Sequence, residues 1–118
     1  MPYRVILVED EQDVRDLLLR ALKRIQPDAT ITTAQNGLEA LQIFQQQGAD
    51  FILSDHRMPM MSGLDLLRAV RQVSSVPFVL ISADATVEVQ ARTEGVSDFL
   101  FKPVSVAQLR QVVQKYLP

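Results

Sequence analysis

Phe51-Ile52-Leu53-Ser54-Asp55-His56-Arg57-Met58-Pro59-Met60-Met61-Ser62-Gly63 is the stretch that decides how this chain is read. A short apolar run ends in an aspartate, Met58-Pro59 marks a turn, and Ser62 with Asp65 opens a helix carrying Leu64, Leu67 and Val70. The run is continuously apolar, as a strand buried on both faces requires. Its last residue is a carboxylate, placed where such a strand would leave the sheet.

The same figure recurs on both sides. Val5-Ile6-Leu7-Val8 is followed by Glu9 and Asp10, Phe78-Val79-Leu80-Ile81 by Ser82, and Phe99-Leu100-Phe101 by Lys102. A weaker run, Ala29 to Thr33, is rich in threonine and alternates in polarity, as a half-exposed edge strand would. Helical stripes separate the runs. Val14, Leu17, Leu18, Ala21, Leu22 and Ile25 form the first, and Leu38, Leu41 and Phe44 the second, with Asn36 and Glu39 as its start signal and Gly48 as its stop. Ala85 to Glu94 has only Val87, Val89 and Ala91 and reads as a marginal, mobile helix. Ser105 with Gln108 predicts a capping box before Val106, Leu109, Val112, Val113 and Tyr116. Pro77 is tolerated at the start of the fourth run.

Five strands alternating with five helices predict a doubly wound α/β fold, a five-stranded parallel sheet with helices on both faces. Central places for the first, third and fourth runs, and an edge for the second, are satisfied by the order 2-1-3-4-5. That order reverses between the first and third strands, and ligands bind such sheets at the carboxyl ends of strands beside the reversal. Glu9, Asp10, Asp55, Ser82 and Lys102 then share one rim.

Bulk properties narrow the class. The 118 residues suit one domain, read as 1–118. With no cysteine, disulfides, thiolate metal sites and thiol catalysis are excluded. A net charge of −2 does not favour nucleic acid as a direct partner. The start, Met1-Pro2-Tyr3-Arg4, lacks a signal peptide's features, and no run approaches the roughly 20 apolar residues of a membrane span. A cytoplasmic protein without a membrane partner is expected.

The rim chemistry suits a divalent cation and a phosphoryl group. Clustered carboxylates raise one another's pKa unless a cation lies between them. Magnesium takes a few carboxylates, keeps several waters and completes its shell with phosphate oxygens. A carboxylate beside it can attack phosphorus, a serine hydroxyl can donate to a phosphoryl oxygen, and a lysine supplies a compact positive charge. Each residue also has an ordinary structural reading. Glu9, Asp10 and Asp13 suit a helix N-terminus, Asp55 a turn, Ser82 a helix cap and Lys102 a surface position. Those readings require four independent coincidences at four strand ends.

Val8-Glu9-Asp10, the segment from Leu53 to Gly63, Leu80-Ile81-Ser82-Ala83 and Phe101-Lys102-Pro103 together resemble the receiver domain of two-component response regulators. The resemblance runs over essentially the whole chain and implies the flavodoxin-like, CheY-like (βα)5 fold. It implies that Asp55 accepts a phosphoryl group from a histidine kinase or phosphotransfer protein. Glu9 (through water), Asp10, Asp55 and the backbone carbonyl of Arg57 would hold Mg²⁺, with Mn²⁺ as a substitute. Ser82 and Lys102 would bind the phosphoryl group, Phe99 would be the aromatic switch, and Lys102-Pro103 would be cis. The output would be a downstream protein or a covalently linked domain.

Such a module is a phosphorylation-dependent switch rather than an enzyme, catalysing only its own phosphotransfer and dephosphorylation. Arg57 and Asp84, two residues past Asp55 and Ser82, would tune the phosphoryl lifetime, and opposite charge suggests a salt link between them. Glu9, Ser82 and Phe99 stand where aspartate, threonine and tyrosine are frequent in the family. His56 reads as a solvent-exposed neighbour rather than a phospho-carrier, and Met58, Met60 and Met61 as loop packing. An aspartyl-phosphate phosphatase of the haloacid dehalogenase kind would want an aspartate where Arg57 stands, and room for a cap. An inert receiver-like scaffold usually lacks one of the rim residues retained here.

Overall fold

In the computed structural model, which describes residues 2–118, the strands and helices alternate without exception. The strands are β1 (Arg4–Val8), β2 (Thr30–Ala34), β3 (Phe51–Asp55), β4 (Phe78–Ser82) and β5 (Asp98–Phe101). The helices are α1 (Gln12–Ile25), α2 (Gly37–Gln47), α3 (Gly63–Arg71), α4 (Ala85–Thr93) and α5 (Val106–Tyr116). All strand pairs are parallel, in the order β2-β1-β3-β4-β5. This is the order expected from the sequence, and its reversal lies beside β1 and β3.

Continuous apolarity and two-sided burial go together. β3 and β4 are buried at every position, and β1 at all but Arg4. β2, the threonine-rich edge, buries only Ala34. Side chains alternate across the sheet, so each central strand feeds two cores. Ile6, Val8, Ile52, Phe78 and Leu80 pack with residues of α2, α3 and α4, and Val5, Leu7, Phe51, Leu53, Val79 and Ile81 pack with α1 and α5.

The caps that punctuate the helices are local. Asn36, Ser62 and Ser105 accept the amides of Glu39, Asp65 and Gln108, and Gln108 returns its side chain to the Ser105 amide to complete a capping box. Gly48, at φ 70°, ends α2 in a backbone region that favours glycine. α3 buries Leu64, Leu66, Leu67 and Val70. Each such side chain contributes about 1.5–3 kcal/mol, which anchors the helix that follows the Asp55 loop.

Two details differ from the sequence reading. The second strand is displaced by one residue, to Thr30–Ala34, because its pairing with β1 sets the register. The weak stripe after Asp84 forms the expected helix, nine residues long and capped by Asp84. It buries only Val87 and Ala91, while Val89 is 67% exposed. Leu17 and Val106 lie on apolar stripes yet face outward. Among the described residues no helix is long and apolar enough to cross a membrane.

Candidate functional site

The rim is assembled from the ends of four strands. At the end of β1 the chain turns sharply, held by the Glu9 amide donating to the Ala34 carbonyl and by Arg15 Nη1 donating to the Glu9 carbonyl. The Glu9 side chain folds back to accept the Glu11 amide at 3.1 Å. It is 2% exposed. Burial, reinforced by Asp55 and Asp10, pushes its carboxyl up to about 7 against the lowering effect of the Glu11 amide and Lys102. Asp10, the next residue, is exposed.

Asp55 ends β3 and is buried. The loop behind it closes through two backbone bonds, His56 amide to Ile81 carbonyl and Gly63 amide to His56 carbonyl. Gly63 is required there. A Cβ would collide with the Asp55 carbonyl oxygen and lie 2.6 Å from Leu80 Cδ1. The first turn of α3 is thereby pressed against the Asp55 backbone.

Lys102 reaches in from the end of β5, its Nζ 2.7 Å from Asp55 Oδ1. Burial draws its ammonium downward, but Asp55, Glu9 and Glu11 outweigh that and the net shift is upward. The pair matches charge without an aligned hydrogen bond. Asp55 Oδ1 is fully buried and has no hydrogen-bond donor among the described residues. Glu9, Asp10 and Asp55 each offer a carboxylate oxygen, all within 4.8 Å of one another. Three hard oxygen donors within reach of one point, two of them on buried residues, fit a small hard cation such as Mg²⁺.

Ser82, at the end of β4, is buried, and its Oγ accepts the Asp84 amide at 3.1 Å. The Lys102 amide donates to the Ser82 carbonyl, and Lys102-Pro103 is cis. Asp55, Arg57, Ser82, Ala83, Asp84, Ala85 and Lys102 line a cleft of about 520 Å³. Phe99 lies behind it, buried in the core beneath α4.

The expected Arg57–Asp84 salt link is not formed among the described residues. Asp84 is committed to capping α4, accepting the amide and hydroxyl of Thr86 at 2.9 and 2.7 Å. Those two bonds lead the downward shift of its carboxyl, and Arg57 is the last of the contributors. Both residues line the cleft, but separately. His56 is half-buried rather than solvent-exposed, and its Nδ1 accepts the Leu64 amide at 3.3 Å. Burial lowers its pKa, which suits an imidazole acting as acceptor. Met58 and Met61 pack against the core as expected, whereas Met60 is 79% exposed with φ 69°.

The sequence reading passed over Arg15, Gly63 and the capping role of Asp84. Asp84 followed by Thr86 and Glu88 carried a recognisable helix-start signal. Arg15 acts through the Glu9 carbonyl and Gly63 through the Asp55 backbone and Leu80, contacts that carried no sequence signal.

A doubly wound sheet with an acidic, lysine-closed rim at its switch point defines a CheY-like signalling switch. The family model for the response regulator receiver domain matches residues 5–114, and the chain belongs to that family, the receiver domains of two-component systems. It is 35% identical over 113 residues to the response regulator protein PilR of Pseudomonas aeruginosa, covering 93% of this chain and 25% of PilR. It is 35% identical over 117 residues to the sensory transduction protein RegX3 of Mycobacterium bovis, covering 94% of this chain and 51% of RegX3. The chain thus spans a quarter to a half of these relatives. The solved structure of the Vibrio cholerae chemotaxis protein CheY4 superposes with a TM-score of 0.88 at 26% identity, covering 99% of this chain and all of that one.

Proposed function

We propose that residues 1–118 act as one receiver unit in which Asp55 accepts a phosphoryl group from a phosphohistidine of a kinase or phosphotransfer protein. The observation that carries this reading is the setting of Asp55. It is a buried carboxylate with Lys102 Nζ at 2.7 Å and two further carboxylates within 4.8 Å.

An Asp55 oxygen forms the new O–P bond while the P–N bond to the donor imidazole breaks, and the imidazole leaves with the electron pair and takes up a proton. The Lys102 ammonium is already paired with Asp55 and stands to pass to a phosphoryl oxygen as charge spreads over the group. The Ser82 hydroxyl is free to donate, since its Oγ only accepts in its contact with Asp84. Glu9 (through water), Asp10, Asp55 and the Arg57 carbonyl would hold Mg²⁺, or Mn²⁺ in its place. When bound, the ion supplies neutralisation of the acidic cluster and of the phosphoryl oxygens, much of what phosphoryl transfer requires. Loss of the group is the reverse displacement by water, which breaks the Asp55 O–P bond and releases inorganic phosphate.

This reading makes the protein a cytoplasmic switch. Its output is a downstream protein or a linked domain, and neither nucleic acid nor membrane is contacted directly by this unit.

Incubation with acetyl phosphate and Mg²⁺, followed by intact-mass measurement and peptide mapping, tests it. One phosphoryl group on Asp55, absent in Asp55→Asn and absent without divalent cation, is expected. Label on His56, or labelling that survives in Asp55→Asn, would overturn the assignment.

A further inference from the structure

Phosphoryl chemistry at Asp55 makes no use of Phe101, the residue before Lys102. Its position is nonetheless specific. Phe101 and Ser82 are register partners on the last rung between β4 and β5, and the Lys102 amide locks that rung by donating to the Ser82 carbonyl at 3.1 Å. Side chains of parallel register partners lie on one face, as do residues two apart in a strand. Ser82, Phe101 and Phe99 therefore share the face covered by α4.

The two rings meet edge to face, centroids 4.9 Å apart and planes at 62°, an arrangement that the ring quadrupoles favour. Their exposures differ sharply, at 6% for Phe99 and 42% for Phe101. Phe99 shares its buried cluster with Val87 and Ala91, the only two residues that α4 buries. In this structure Phe99 is already inward, and it has no hydroxyl to present. The aromatic ring left at the surface beside Ser82 is Phe101.

We propose that Phe101 is a positioning residue that carries a displacement at Ser82 through the edge-to-face contact to Phe99, and from there to α4. The path follows the register pair, the ring pair and the buried cluster in turn. A shift of the β4–β5 rung moves the Phe101 ring, the ring edge bears on Phe99, and Phe99 bears on the narrow apolar footing of α4. A helix held by two small buried side chains yields to such a push more readily than one anchored like α3. The inference rests on Asp55 being the phosphoacceptor. The competing reading is that Phe101 merely covers Phe99, in which case any apolar residue of similar size would serve.

Beryllofluoride with Mg²⁺ is the probe, and fluorine NMR reports the Asp55 adduct independently of Phe101. The chain has no tryptophan, so Phe101→Trp provides a single emitter, and its emission is expected to shift when the adduct forms. In Phe101→Ala the adduct is expected to form while the methyl shifts that it induces at Val87 and Ala91 fall by more than half. Phe101→Tyr should restore them, and Phe101→Leu, apolar but without a ring edge, should not. An adduct with unmoved tryptophan emission, full-sized shifts in Phe101→Ala, or restoration by Phe101→Leu each overturns the proposal and leaves the Asp55 reading standing. Absence of the adduct in the unsubstituted protein overturns both.

Discussion

Lys102 Nζ and Asp55 Oδ1 stand 2.7 Å apart although their strands, β5 and β3, are not neighbours. The lysine crosses the end of β4 to reach the carboxylate, and so closes the rim on one side while Glu9 and Asp10 close it on the other. Negative charge is concentrated on the β1 side of Asp55 and balanced only on the β5 side.

Burial of Glu9 within that acidic cluster makes stability without metal depend on pH. Glu9 titrates at about 7 in the fold against an ordinary 4.5. Across that window the folded protein holds more protons than the unfolded chain, so stability without metal falls as pH rises. A cation bound only by the folded form adds RT ln(1 + [L]/Kd) and does so most fully once Glu9 is ionised. Thermal melts in Mg²⁺ and in chelator should therefore diverge more at about pH 8 than at about pH 5, and Asp10→Asn should remove most of the difference. An equal gain at both pH values would contradict this assignment of the cluster.

Gly63→Ala should damage both the fold and the chemistry. Its Cβ would meet the Asp55 carbonyl oxygen, which is backbone and can give way only if β3 or α3 shifts. Overpacking of this kind costs about 1–3 kcal/mol. Denaturant titration should show that loss, and acetyl phosphate labelling of the folded fraction should slow because Asp55 is displaced. A variant with normal stability and normal labelling would show that the loop is softer than its contacts indicate.

Arg57 and Asp84 flank the cleft without touching. If each affects phosphoryl lifetime, it does so independently, and the effects of Arg57→Ala and Asp84→Ala on dephosphorylation rate should add in the double variant, as expected for sites that share no contact. Asp84→Ala should also lower the unfolding midpoint through the missing cap, whereas Arg57→Ala should be neutral. Strong non-additivity in the dephosphorylation rates would point to a coupling that the structure lacks.

Met60 is the one non-glycine residue with positive φ among the described residues, at 69°, and its side chain is exposed. A left-handed backbone costs an ordinary residue about 1–2 kcal/mol, and nothing packs against this side chain to offset it. Met60→Gly and Met60→Asn should both raise the unfolding midpoint, with asparagine tolerating the conformation and glycine freed of it. A lower midpoint in both would mean that the methionine makes an undetected contribution.

The periodicities of the chain announced its architecture. Uninterrupted apolar runs at Val5–Val8, Phe51–Leu53 and Phe78–Ile81 could be buried only as central strands of a sheet covered on both faces. Asn36, Ser62 and Ser105 cap from within three residues, so their signals are local and readable. Asp55, Ser82 and Lys102 were legible as rim residues because each directly ends or follows such a run. Complementary charge alone does not bring Arg57 and Asp84 together, because it says nothing about competing partners. Thr86, two residues away, holds Asp84 with two bonds that cost no chain closure.

By itself, the sequence determined the strand–helix alternation, the caps and the identity of the groups at the strand ends, because these follow from patterns a few residues long. Tertiary structure alone decided that Lys102 spans β4 to reach Asp55, that Glu9 is buried deeply enough to titrate near neutrality, and that Gly63 bears on the Asp55 backbone. Those properties depend on distances between residues brought together from different elements, fixed by β-sheet register and helix packing. No local pattern encodes the burial or the electric field that results.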